Sequence, residues 1–343
     1  MPGKILIIGA NAAGVHAASA ARKTDPKAEI ILITSENYLA YSRCGLPYVL
    51  AGEIPSFEDL VVFPPSYYRM MKLDVRTETV VKSIKLEEKT AELESKNGET
   101  ESLSYDSLIL ATGADAFILP IKGNDKKGVV ALRTINDGME IQKMMKTAKS
   151  ALVIGAGFVG LETAHAFAEN KIKTTVIEVA PYIVPGLFDE DIADYVQKKI
   201  EEHGVRMLMG TRATEILGDD NVTGIKTAEE EIEADIIVMA TGVRPATSLA
   251  TGIGVELGMT RAIMVNPRME TNVKNLYAAG DCVESRSMIT GLPCLIQLGT
   301  NAVRQGKVAG INAAGGYATF PGVICTAVSK MFDFEIGSVG LTE

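Results

Sequence analysis

The stretch that decides the fold is SALVIGAGFVGLETAHAFA, residues 150–168. An apolar run leads into a glycine turn and then into an alanine-rich segment, which predicts a strand, a tight turn and a helix. Gly155, Gly157 and Gly160 follow the spacing Gly-x-Gly-x-x-Gly. The first glycine of such a fingerprint permits the turn, the second lets the backbone approach a pyrophosphate, and the third lets the helix pack on the strand. The stretch therefore predicts a nucleotide-binding unit.

The same pattern occurs again at the start of the chain, in KILIIGANAAGVHAASAA, residues 4–21. In both places a further apolar strand follows, and a later strand runs into Ala-Thr-Gly, at residues 111–113 and 240–242. Alternating strands with polar turns lie between them, which predicts a small antiparallel insert in each unit. Because parallel strands need a helical crossover, the repeat predicts an α/β protein with two Rossmann-like dinucleotide-binding domains.

The domain boundaries are predicted just after the two Ala-Thr-Gly turns, where the chain leaves one sheet for the next. The first dinucleotide-binding domain then comprises residues 1–113 and 243–322, and the second comprises residues 114–242. The tail FEIGSVGL, residues 334–341, has the pattern of a strand with one apolar side that nothing obviously covers. Residues 323–343 are therefore predicted to form a separate segment whose strand edge seeks a partner.

Composition excludes several classes of protein. The 343 residues include 34 Lys and Arg against 43 Asp and Glu, and the resulting net charge of -9 argues against a nucleic-acid partner. The apolar opening is too short for a signal peptide, and no apolar stretch is long enough to span a bilayer. We therefore predict a cytoplasmic protein without a membrane partner. No metal site is predicted, because the four cysteines lack metal-ligand spacing.

The strands that follow the two fingerprints end in different residues. Glu178 is placed to accept both hydroxyls of an adenosine ribose, and no arginine follows closely to bind a 2′-phosphate, which favours NADH over NADPH. In the first unit Asn11 stands where a second glycine is expected, and asparagine tolerates unusual backbone angles. Thr34 and Glu36 are both candidates for the ribose of the first unit, and Glu36 is preferred for its charge.

A third piece of the first site is predicted far downstream, in TNVKNLYAAGDCVES, residues 271–285. Its apolar strand ends in Gly280-Asp281, and an aspartate on such a turn can hydrogen-bond a polyol. We therefore expect Asp281 to return to the first nucleotide site.

A single cysteine stands in AYSRCGLPYVLAGE, residues 40–53. The segment from Cys44 can start a helix with Pro47 in its first turn, and a thiol near a helix N-terminus has a lowered pKa. Arg43 adjoins it. Cys44 is therefore predicted to be a reactive thiolate, with packing as a small hydrophobe as the alternative. The remaining cysteines are predicted to pack in the interior: Cys282, Cys294 and Cys325.

Together these motifs resemble the flavoprotein pyridine nucleotide-disulfide reductases over nearly all of the chain. The matching order is fingerprint, cysteine helix, Ala-Thr-Gly, second fingerprint with its glutamate, second Ala-Thr-Gly and Ala-Gly-Asp. SRCGLPY, with one cysteine, is similar to the single-cysteine branch of coenzyme A-disulfide reductases, NADH oxidases and peroxidases, and NAD(P)H-sulfur oxidoreductases. The resemblance implies FAD on the first unit and NADH, with NADPH possible, on the second. It also implies that Cys44 cycles between a thiolate and a sulfenic acid or a mixed disulfide with coenzyme A.

The resemblance further implies which residues contact the cofactors. Asp281 would bind the ribityl chain, Glu162 would lie near the nicotinamide, and Phe158 would gate that pocket, with ordinary helix packing as the alternative for the last two. The amides at the start of a late helix would face the flavin pyrimidine, where the helix dipole stabilises negative charge. The implied FAD contacts are Gly9, Asn11, Ala12, Ala13, Gly14, Thr34, Glu36, Ser42, Arg43, Val81, Ala111, Thr112, Gly113, Asp281, Leu298, Gly299 and Thr300. The implied NAD(P)H contacts are Gly155, Gly157, Phe158, Val159, Gly160, Glu162, Glu178 and Gly242.

The leading hypothesis is an FAD enzyme that passes a hydride from NAD(P)H to flavin and then electrons to Cys44, which reduces a small-molecule disulfide, persulfide or polysulfide. An NADH oxidase is one alternative, and an electron-transfer reductase or redox sensor for a protein partner is another, against which Cys44 weighs. A peroxidase is disfavoured, because Ala12 stands where those relatives place a histidine. His16, His165 and His203 are predicted to be structural.

Two further features depend on the resemblance. Coenzyme A-disulfide reductases carry Asn before the cysteine and Ser four residues before it, whereas this chain has Arg43 and Ala40, with Ser42 as an imperfect substitute. Specificity for coenzyme A therefore stays open. Arg22 and Lys23 are predicted to be a solvated helix end, with contact to an anionic substrate as the alternative. The resemblance also implies that residues 323–343 begin a C-terminal dimerisation domain, and a homodimer is expected in a full-length form, because family members continue past residue 343.

Overall fold

The computed structural model describes residues 3–342, and the chain divides into two compact units. The first unit comprises the chain up to Tyr41, Val61–Asp115 and Arg244–Ile324. The second comprises Ser42–Leu60, Ala116–Val243 and the chain from Cys325 onward. The sequence had placed the cysteine segment in the first unit and the tail in a separate domain, and in both places the units differ from the predicted boundaries.

Eight α-helices lie within residues 3–342. They are α1 (Ala12–Thr24), α2 (Leu46–Leu50), α3 (Pro65–Met70), α4 (Ile135–Met145), α5 (Phe158–Glu169), α6 (Glu190–Glu202), α7 (Ser248–Thr251) and α8 (Gly299–Ala313). Two 3₁₀ turns lie at Arg43–Gly45 and Glu58–Leu60.

The strands of the described chain are short, and most belong to a parallel sheet or to a small antiparallel insert. They are β1 (Lys4–Ile8), β2 (Glu29–Ile33), β3 (Asp74–Arg76), β4 (Thr79–Lys85), β5 (Thr90–Ser95), β6 (Thr100–Ser104), β7 (Ser107–Leu110), β8 (Ala114–Ala116), β9 (Val129–Val130), β10 (Ser150–Ile154), β11 (Lys173–Ile177), β12 (Arg206–Leu208), β13 (Glu215–Leu217), β14 (Gly224–Lys226), β15 (Glu231–Glu233), β16 (Ile236–Met239), β17 (Val243–Pro245), β18 (Leu276–Ala278), β19 (Ser285–Arg286), β20 (Pro293–Cys294), β21 (Thr326–Met331) and β22 (Phe334–Val339).

The first unit is built on a five-stranded parallel sheet in the order β3-β2-β1-β7-β18. Its central strands are continuous apolar runs, because both faces of the sheet are covered. Ile5 and Ile7 of β1 pack into the core that α1 and α8 share, whereas Leu6 and Ile8 pack into the core under the antiparallel insert β4-β5-β6. The alternation follows from the two-residue period of a strand.

The second unit repeats this plan with a parallel sheet in the order β12-β11-β10-β16-β9 and an antiparallel insert β13-β14-β15. The short helix α2 belongs here because it packs against α4 and α5, with Leu46, Val49 and Leu50 buried. The prediction of two parallel α/β sheets with small antiparallel sheets is confirmed.

The tail of the chain forms a hairpin of β21 and β22, in which Thr326 pairs with Val339 and Met331 with Phe334. The predicted strand therefore has a partner along one edge, and β21 packs against α5. Val328 remains 77% exposed and Val339 70% exposed. No helix in the described part of the chain has both the length and the apolar character needed to cross a bilayer.

The strand order of each parallel sheet has a switch point, which lies at β1 in the first unit and at β10 in the second. The neighbours β2 and β7 lie on opposite sides of β1, and β11 and β16 lie on opposite sides of β10. Open α/β sheets bind ligands at such a switch point, beyond the carboxyl ends of the strands. The glycine loops begin there, directly after β1 and β10.

Candidate nucleotide sites and the cysteine segment

The glycine loop of the second unit shows a separate reason for each of its glycines. Gly155 has φ +108°, and a Cβ on it would lie 2.4 Å from the carbonyl oxygen of Ala240. A Cβ on Gly160 would lie 2.0 Å from the carbonyl oxygen of Gly155. At Gly157 no atom of the described chain comes within 4 Å of the Cβ position. Gly157 also begins α5 without a side-chain cap, so the first amides of the helix face an open space suited to an anion.

Glu178 is fixed beside this loop by two backbone amides. Its Oε2 accepts from the amide of Ala156 at 2.8 Å, and its Oε1 accepts from the amide of Ala180 at 2.9 Å. Each carboxylate oxygen can accept a second hydrogen bond, for example from a ribose hydroxyl. The amide of Thr211 donates to the carbonyl oxygen of Glu178 at 2.8 Å, which brings the following residue, Arg212, to the same edge of the sheet. Arg212 was not predicted from the sequence, because only residues that closely follow Glu178 were considered as partners of a 2′-phosphate.

The loop of the first unit has the same steric contacts around Gly9 and Gly14. A Cβ on Gly9, which has φ +107°, would lie 2.0 Å from the carbonyl oxygen of Ala111, and one on Gly14 would lie 1.7 Å from that of Gly9. Asn11 caps α1, and its Oδ1 accepts from the amide of Ala12 at 2.8 Å. The Nδ2 of Asn11 is buried and has no hydrogen-bond partner among the described residues. A buried amide donor without an acceptor at a helix N-terminus suits an anionic ligand.

The two ribose candidates of the first unit differ in burial and in hydrogen-bond partners. Thr34 is buried, and its Oγ1 accepts from the amide of Glu36 at 3.2 Å. Glu36 is half-buried, and its Oε2 accepts from the hydroxyl of Tyr41 at 2.6 Å. By position Thr34 is the counterpart of Glu178, since each directly follows its strand, β2 or β11, whereas Glu36 lies two residues beyond Thr34. The preference for Glu36 rests on its charge and stays a prediction.

The downstream turn is tied to α8 by two glutamines that the sequence did not reveal. The amide of Gly280, at φ +89°, donates to Oε1 of Gln305 at 2.9 Å. The Nε2 of Gln297 donates to the backbone carbonyl of Asp281 at 3.0 Å. Leu298 caps α8 without a side-chain hydrogen bond. Half-buried Asp281 and the uncapped start of α8 are therefore held on the same part of the first unit.

The other predicted contacts lie at the strand ends or in the core. In the first unit Thr112 follows β7 and donates to the carbonyl of Ala246 at 2.7 Å, and the side chain of Val81 is buried in the core. In the second unit Gly242 has φ +93°, and Phe158 packs edge-on against Phe188. Of the other predicted loop residues, Ala13 is buried and Val159 is exposed.

The cysteine segment belongs to the second unit. Cys44 is exposed in the 3₁₀ turn that runs directly into α2, and Pro47 stands in the first turn of that helix. Nη1 of Arg43 donates to the carbonyl of Arg133 at 2.6 Å. Ser42 and Arg43 lie in the second unit, which the chain enters after Tyr41. Their contact with FAD stays a prediction.

The remaining cysteines differ from Cys44 in exposure. Cys282 is fully buried, its thiol donates to the carbonyl of Ala279 at 3.4 Å, and burial raises its pKa. Burial also raises the pKa of Cys325, and Cys294 is partly buried. Within the described chain Cys44 is exposed, whereas the other three thiols are buried or partly buried.

Glu162 lies in a polar cluster with Tyr48 and Ser329, two residues that the sequence analysis missed. Its side chain is 8% exposed, and its Oε1 accepts from the hydroxyl of Ser329 at 2.6 Å and from that of Tyr48 at 3.4 Å. Burial raises the pKa of Glu162 to about 7, and the two hydrogen bonds oppose that rise. Glu162 is therefore an acid that changes charge near neutral pH.

A second polar cluster adjoins the first on the same elements. Glu53 accepts from Nε2 of His165 at 2.9 Å and from Nζ of Lys330 at 2.8 Å, and the hydrogen bond from Lys330 lowers its pKa. The amide of Phe332 donates to Nδ1 of His165 at 3.2 Å. These contacts give His165 the tautomer that carries its proton on Nε2, and they support a structural role for it.

Arg22 corrects both interpretations of the first helix end. Its guanidinium donates to four backbone carbonyls, those of Pro26, Ala28, Met71 and Lys72, at 2.7 to 3.0 Å. It is thus neither a solvated helix end nor a site for an anionic substrate, because its donors are used to join the turn after α1 to the turn after α3. Within residues 3–342 no group of three or more His, Cys, Asp or Glu could hold a metal ion.

Residues 3–306 match the family model described as pyridine nucleotide-disulphide oxidoreductase. The chain belongs to this family. Pyridine nucleotide-disulphide oxidoreductases depend on FAD and use NAD(P)H.

Relatives in this family carry two kinds of name. An NADH oxidase of Methanocaldococcus jannaschii is 42% identical over 342 residues, which cover 99% of this chain and 76% of that protein. An NAD(P)H sulfur oxidoreductase (CoA-dependent) of Pyrococcus abyssi is 34% identical over 341 residues, with shares of 99% and 76%. The solved NAD-dependent persulfide reductase from A. fulgidus superposes with a TM-score of 0.96 at 37% identity. This chain spans 64% of the length of that reductase, and 99% of this chain is covered.

Proposed function

We propose that this chain is an FAD-dependent NAD(P)H oxidoreductase in which Cys44 reduces a disulfide, persulfide or polysulfide. The observation that carries the proposal is the exposed Cys44 at the start of α2, in a chain whose other thiols are buried or partly buried. The names of the Pyrococcus abyssi and A. fulgidus relatives support a sulfur acceptor.

FAD is assigned to the first unit. Asn11 offers a buried amide donor for the pyrophosphate, Glu36 offers a carboxylate for the ribose, and Asp281 offers one for the ribityl chain. The start of α8 has no side-chain cap, and the amides there belong to Leu298, Gly299 and Thr300. These amides suit the electron-rich side of the flavin. When bound, FAD supplies the two-electron redox chemistry that no amino-acid side chain here provides.

The nicotinamide nucleotide is assigned to the second unit. The open space at Gly157 and the uncapped start of α5 suit its pyrophosphate, and Glu178 suits the adenosine ribose. Glu162 and Phe158 are assigned to the nicotinamide end of the site. The carboxylate of Glu178 favours NADH, and Arg212 at the same edge leaves room for NADPH.

Sulfur exchange at Cys44 proceeds in two steps. The Cys44 thiolate attacks one sulfur of the acceptor, the S–S bond breaks, and one thiolate leaves while a mixed disulfide forms on Cys44. Two electrons from NAD(P)H and a proton from solvent then return Cys44 to the thiolate and release the second thiol. Coenzyme A is proposed as a substrate or as the mixed-disulfide adduct, because the Pyrococcus abyssi relative is a CoA-dependent sulfur oxidoreductase. A homodimer of a longer form stays a prediction.

A second candidate function is that of an NADH oxidase, in which oxygen is the acceptor. It is favoured by the name of the 42% identical relative of Methanocaldococcus jannaschii. The two candidates differ in their need for Cys44, because only sulfur reduction needs a thiolate that exchanges with the acceptor.

Replacing Cys44 by serine tests the choice. In the FAD-loaded protein, Cys44→Ser should lower NADH-dependent reduction of polysulfide and of coenzyme A disulfide by at least about 100-fold, because a serine hydroxyl does not exchange with a disulfide. Anaerobic bleaching of the flavin by NADH should persist. Cys325→Ser, in the same unit, is the matched control and should keep full sulfur reduction. Undiminished sulfur reduction by Cys44→Ser, or oxygen consumption that far exceeds sulfur reduction in the wild type, would favour the oxidase.

A further inference from the structure

The short helix after Cys44 depends on tertiary contacts for its position. α2 has five residues, too few to be stable by themselves, and it continues directly from the 3₁₀ turn that holds Cys44. The backbone carbonyl of Leu50, at the end of α2, accepts from Nδ2 of Asn170 at 2.9 Å. A second polar contact with the rest of the second unit is made by Tyr48, four residues after Cys44. The hydroxyl of Tyr48 donates to the carbonyl of Lys330 on β21 at 3.0 Å and accepts from the amide of the same residue at 3.2 Å. Tyr48 thus occupies the outer edge of the hairpin.

The hydroxyl of Tyr48 has two acceptors in reach but only one proton. It lies 3.0 Å from the carbonyl oxygen of Lys330 and 3.4 Å from Oε1 of Glu162. A protonated Glu162 leaves the Tyr48 proton with the backbone carbonyl, whereas an ionised Glu162 is the stronger acceptor and draws that proton away. Ser329 donates to the same oxygen of Glu162 at 2.6 Å and stabilises the ionised form.

The titratable groups around Glu162 bind one another. They are Glu53 beyond the end of α2, His165 on α5 and Lys330 on β21. The carboxylate of Glu53 pairs with the ammonium of Lys330 and accepts a hydrogen bond from the neutral ring of His165, and the hydrogen-bond partners of Glu162 are Tyr48 and Ser329. The pKa of Glu162 is raised to about 7 by its own burial, with no charged neighbour among the causes.

We propose that Tyr48 is a positioning residue for Cys44, and that the proton on Glu162 controls it. With Glu162 protonated, Tyr48 joins α2 to the backbone of β21 and holds the cysteine turn in one place. With Glu162 ionised, Tyr48 turns toward the carboxylate, and the link between the cysteine segment and the hairpin weakens. The inference rests on the proposed function, because it concerns the thiol to which that proposal assigns the chemistry.

The test is the alkylation rate of Cys44 in the FAD-loaded protein, followed by iodoacetamide labelling and peptide mass spectrometry. Besides the ionisation of the thiol itself, the wild-type rate should show a second inflection near pH 7, of about tenfold, the size expected for one hydrogen bond to a charged group. Glu162→Gln and Tyr48→Phe should both lose this inflection. Ser329→Ala should move it to higher pH, because a donor to the carboxylate is lost.

Matched controls distinguish this link from a general effect on folding. Tyr195→Phe, an exposed tyrosine of the same unit, and Ser338→Ala, a serine on β22, should keep the wild-type profile. A wild-type profile with one ionisation, or a second inflection that persists in Glu162→Gln, would overturn the inference. Neither result would touch the proposed function, which fails instead if Cys44→Ser keeps its sulfur reduction.

Thermal unfolding gives a second readout if Tyr48→Phe folds poorly. The folded-state pKa of Glu162 lies above its ordinary value of 4.5, so the native protein binds the proton more tightly than the unfolded chain does. Wild-type stability from this group is therefore present below that ordinary value and is lost as the pH rises through about 7. The difference between the Tm of Glu162→Gln and that of the wild type should therefore shift in favour of the variant as the pH rises from about 5 to about 8. A constant difference across that range would overturn the inference.

Discussion

The two glycine loops of this protein have the same steric demands at their ends and differ in the middle. A Cβ on Gly14 or Gly160 would lie 1.7 or 2.0 Å from a backbone carbonyl oxygen, so the fold itself forbids a side chain there. Asn11 and Gly157 both begin a helix from extended backbone, at φ -100° and -77°, which any residue can adopt. The middle position is therefore decided by the space in front of the loop and by the ligand it serves. Asn11 places an unpartnered amide donor in that space, whereas Gly157 leaves it open.

The two sites also differ in how the chain assembles them. The second unit gathers its loop and its acid from one continuous stretch, residues 155–178. The first unit adds segments more than two hundred residues away, and Gln305 and Gln297 hold the Gly280-Asp281 turn to α8. The difference teaches that the second site can be recognised from local sequence, whereas the first is completed only by folding.

The largest effect is expected from an alanine at the third glycine of the second loop. Gly160→Ala should lower the free energy of unfolding by ~3 kcal/mol or more, because its Cβ would meet the carbonyl of Gly155 and force α5 away from β10. Gly157→Ala should change it by less than ~1 kcal/mol, since its Cβ position is open. Gly157→Ala should instead weaken NADH binding. Urea unfolding and NADH titration measure the two effects, and equal losses of stability would contradict the division of roles.

A smaller effect, confined to one unit, is expected from the distant piece of the first site. Asp281→Ala should weaken FAD binding by about 100-fold, because hydrogen bonds from a polyol to a charged carboxylate are lost. NADH binding by the second unit should be unchanged. The flavin content of the purified protein and its FAD titration measure the change. Glu256→Ala, an exposed carboxylate of the same unit, is the control. Full FAD content in Asp281→Ala would show that the first site is placed wrongly.

The smallest effect is expected in the choice between the two nicotinamide nucleotides. The wild type should prefer NADH to NADPH by about tenfold in kcat/KM, because the carboxylate of Glu178 repels a 2′-phosphate. Glu178→Ala should reduce that preference, and Arg212→Ala should increase it by lowering the rate with NADPH. The exposed Glu231→Ala should leave the ratio unchanged. A wild-type preference for NADPH would reverse the assigned roles of Glu178 and Arg212.

The sequence by itself determined the two α/β units, because their signals are local. Strand, glycine turn and helix are neighbours along the chain, and the backbone angle of Gly155 or the apolar run of β10 is encoded within a few residues. The trailing acid Glu178 and the downstream Asp281 could also be proposed as site residues from the sequence, since each stands close behind a recognisable strand. The same local reasoning placed Cys44 at the start of a helix, which the structure confirms.

Only the tertiary structure decided which unit the cysteine segment joins and what surrounds Glu162. Tyr48, Glu162 and Ser329 are separated by more than a hundred residues from one another, and nothing in their local spacing indicates that they meet. The four carbonyls that bind Arg22, and the backbone hydrogen bond that brings Thr211 beside Glu178, were hidden for the same reason. Backbone conformation is set mainly by neighbours in sequence, whereas burial and hydrogen-bond partners are set by neighbours in space. A side chain whose role depends on its burial therefore cannot be read before the chain has folded.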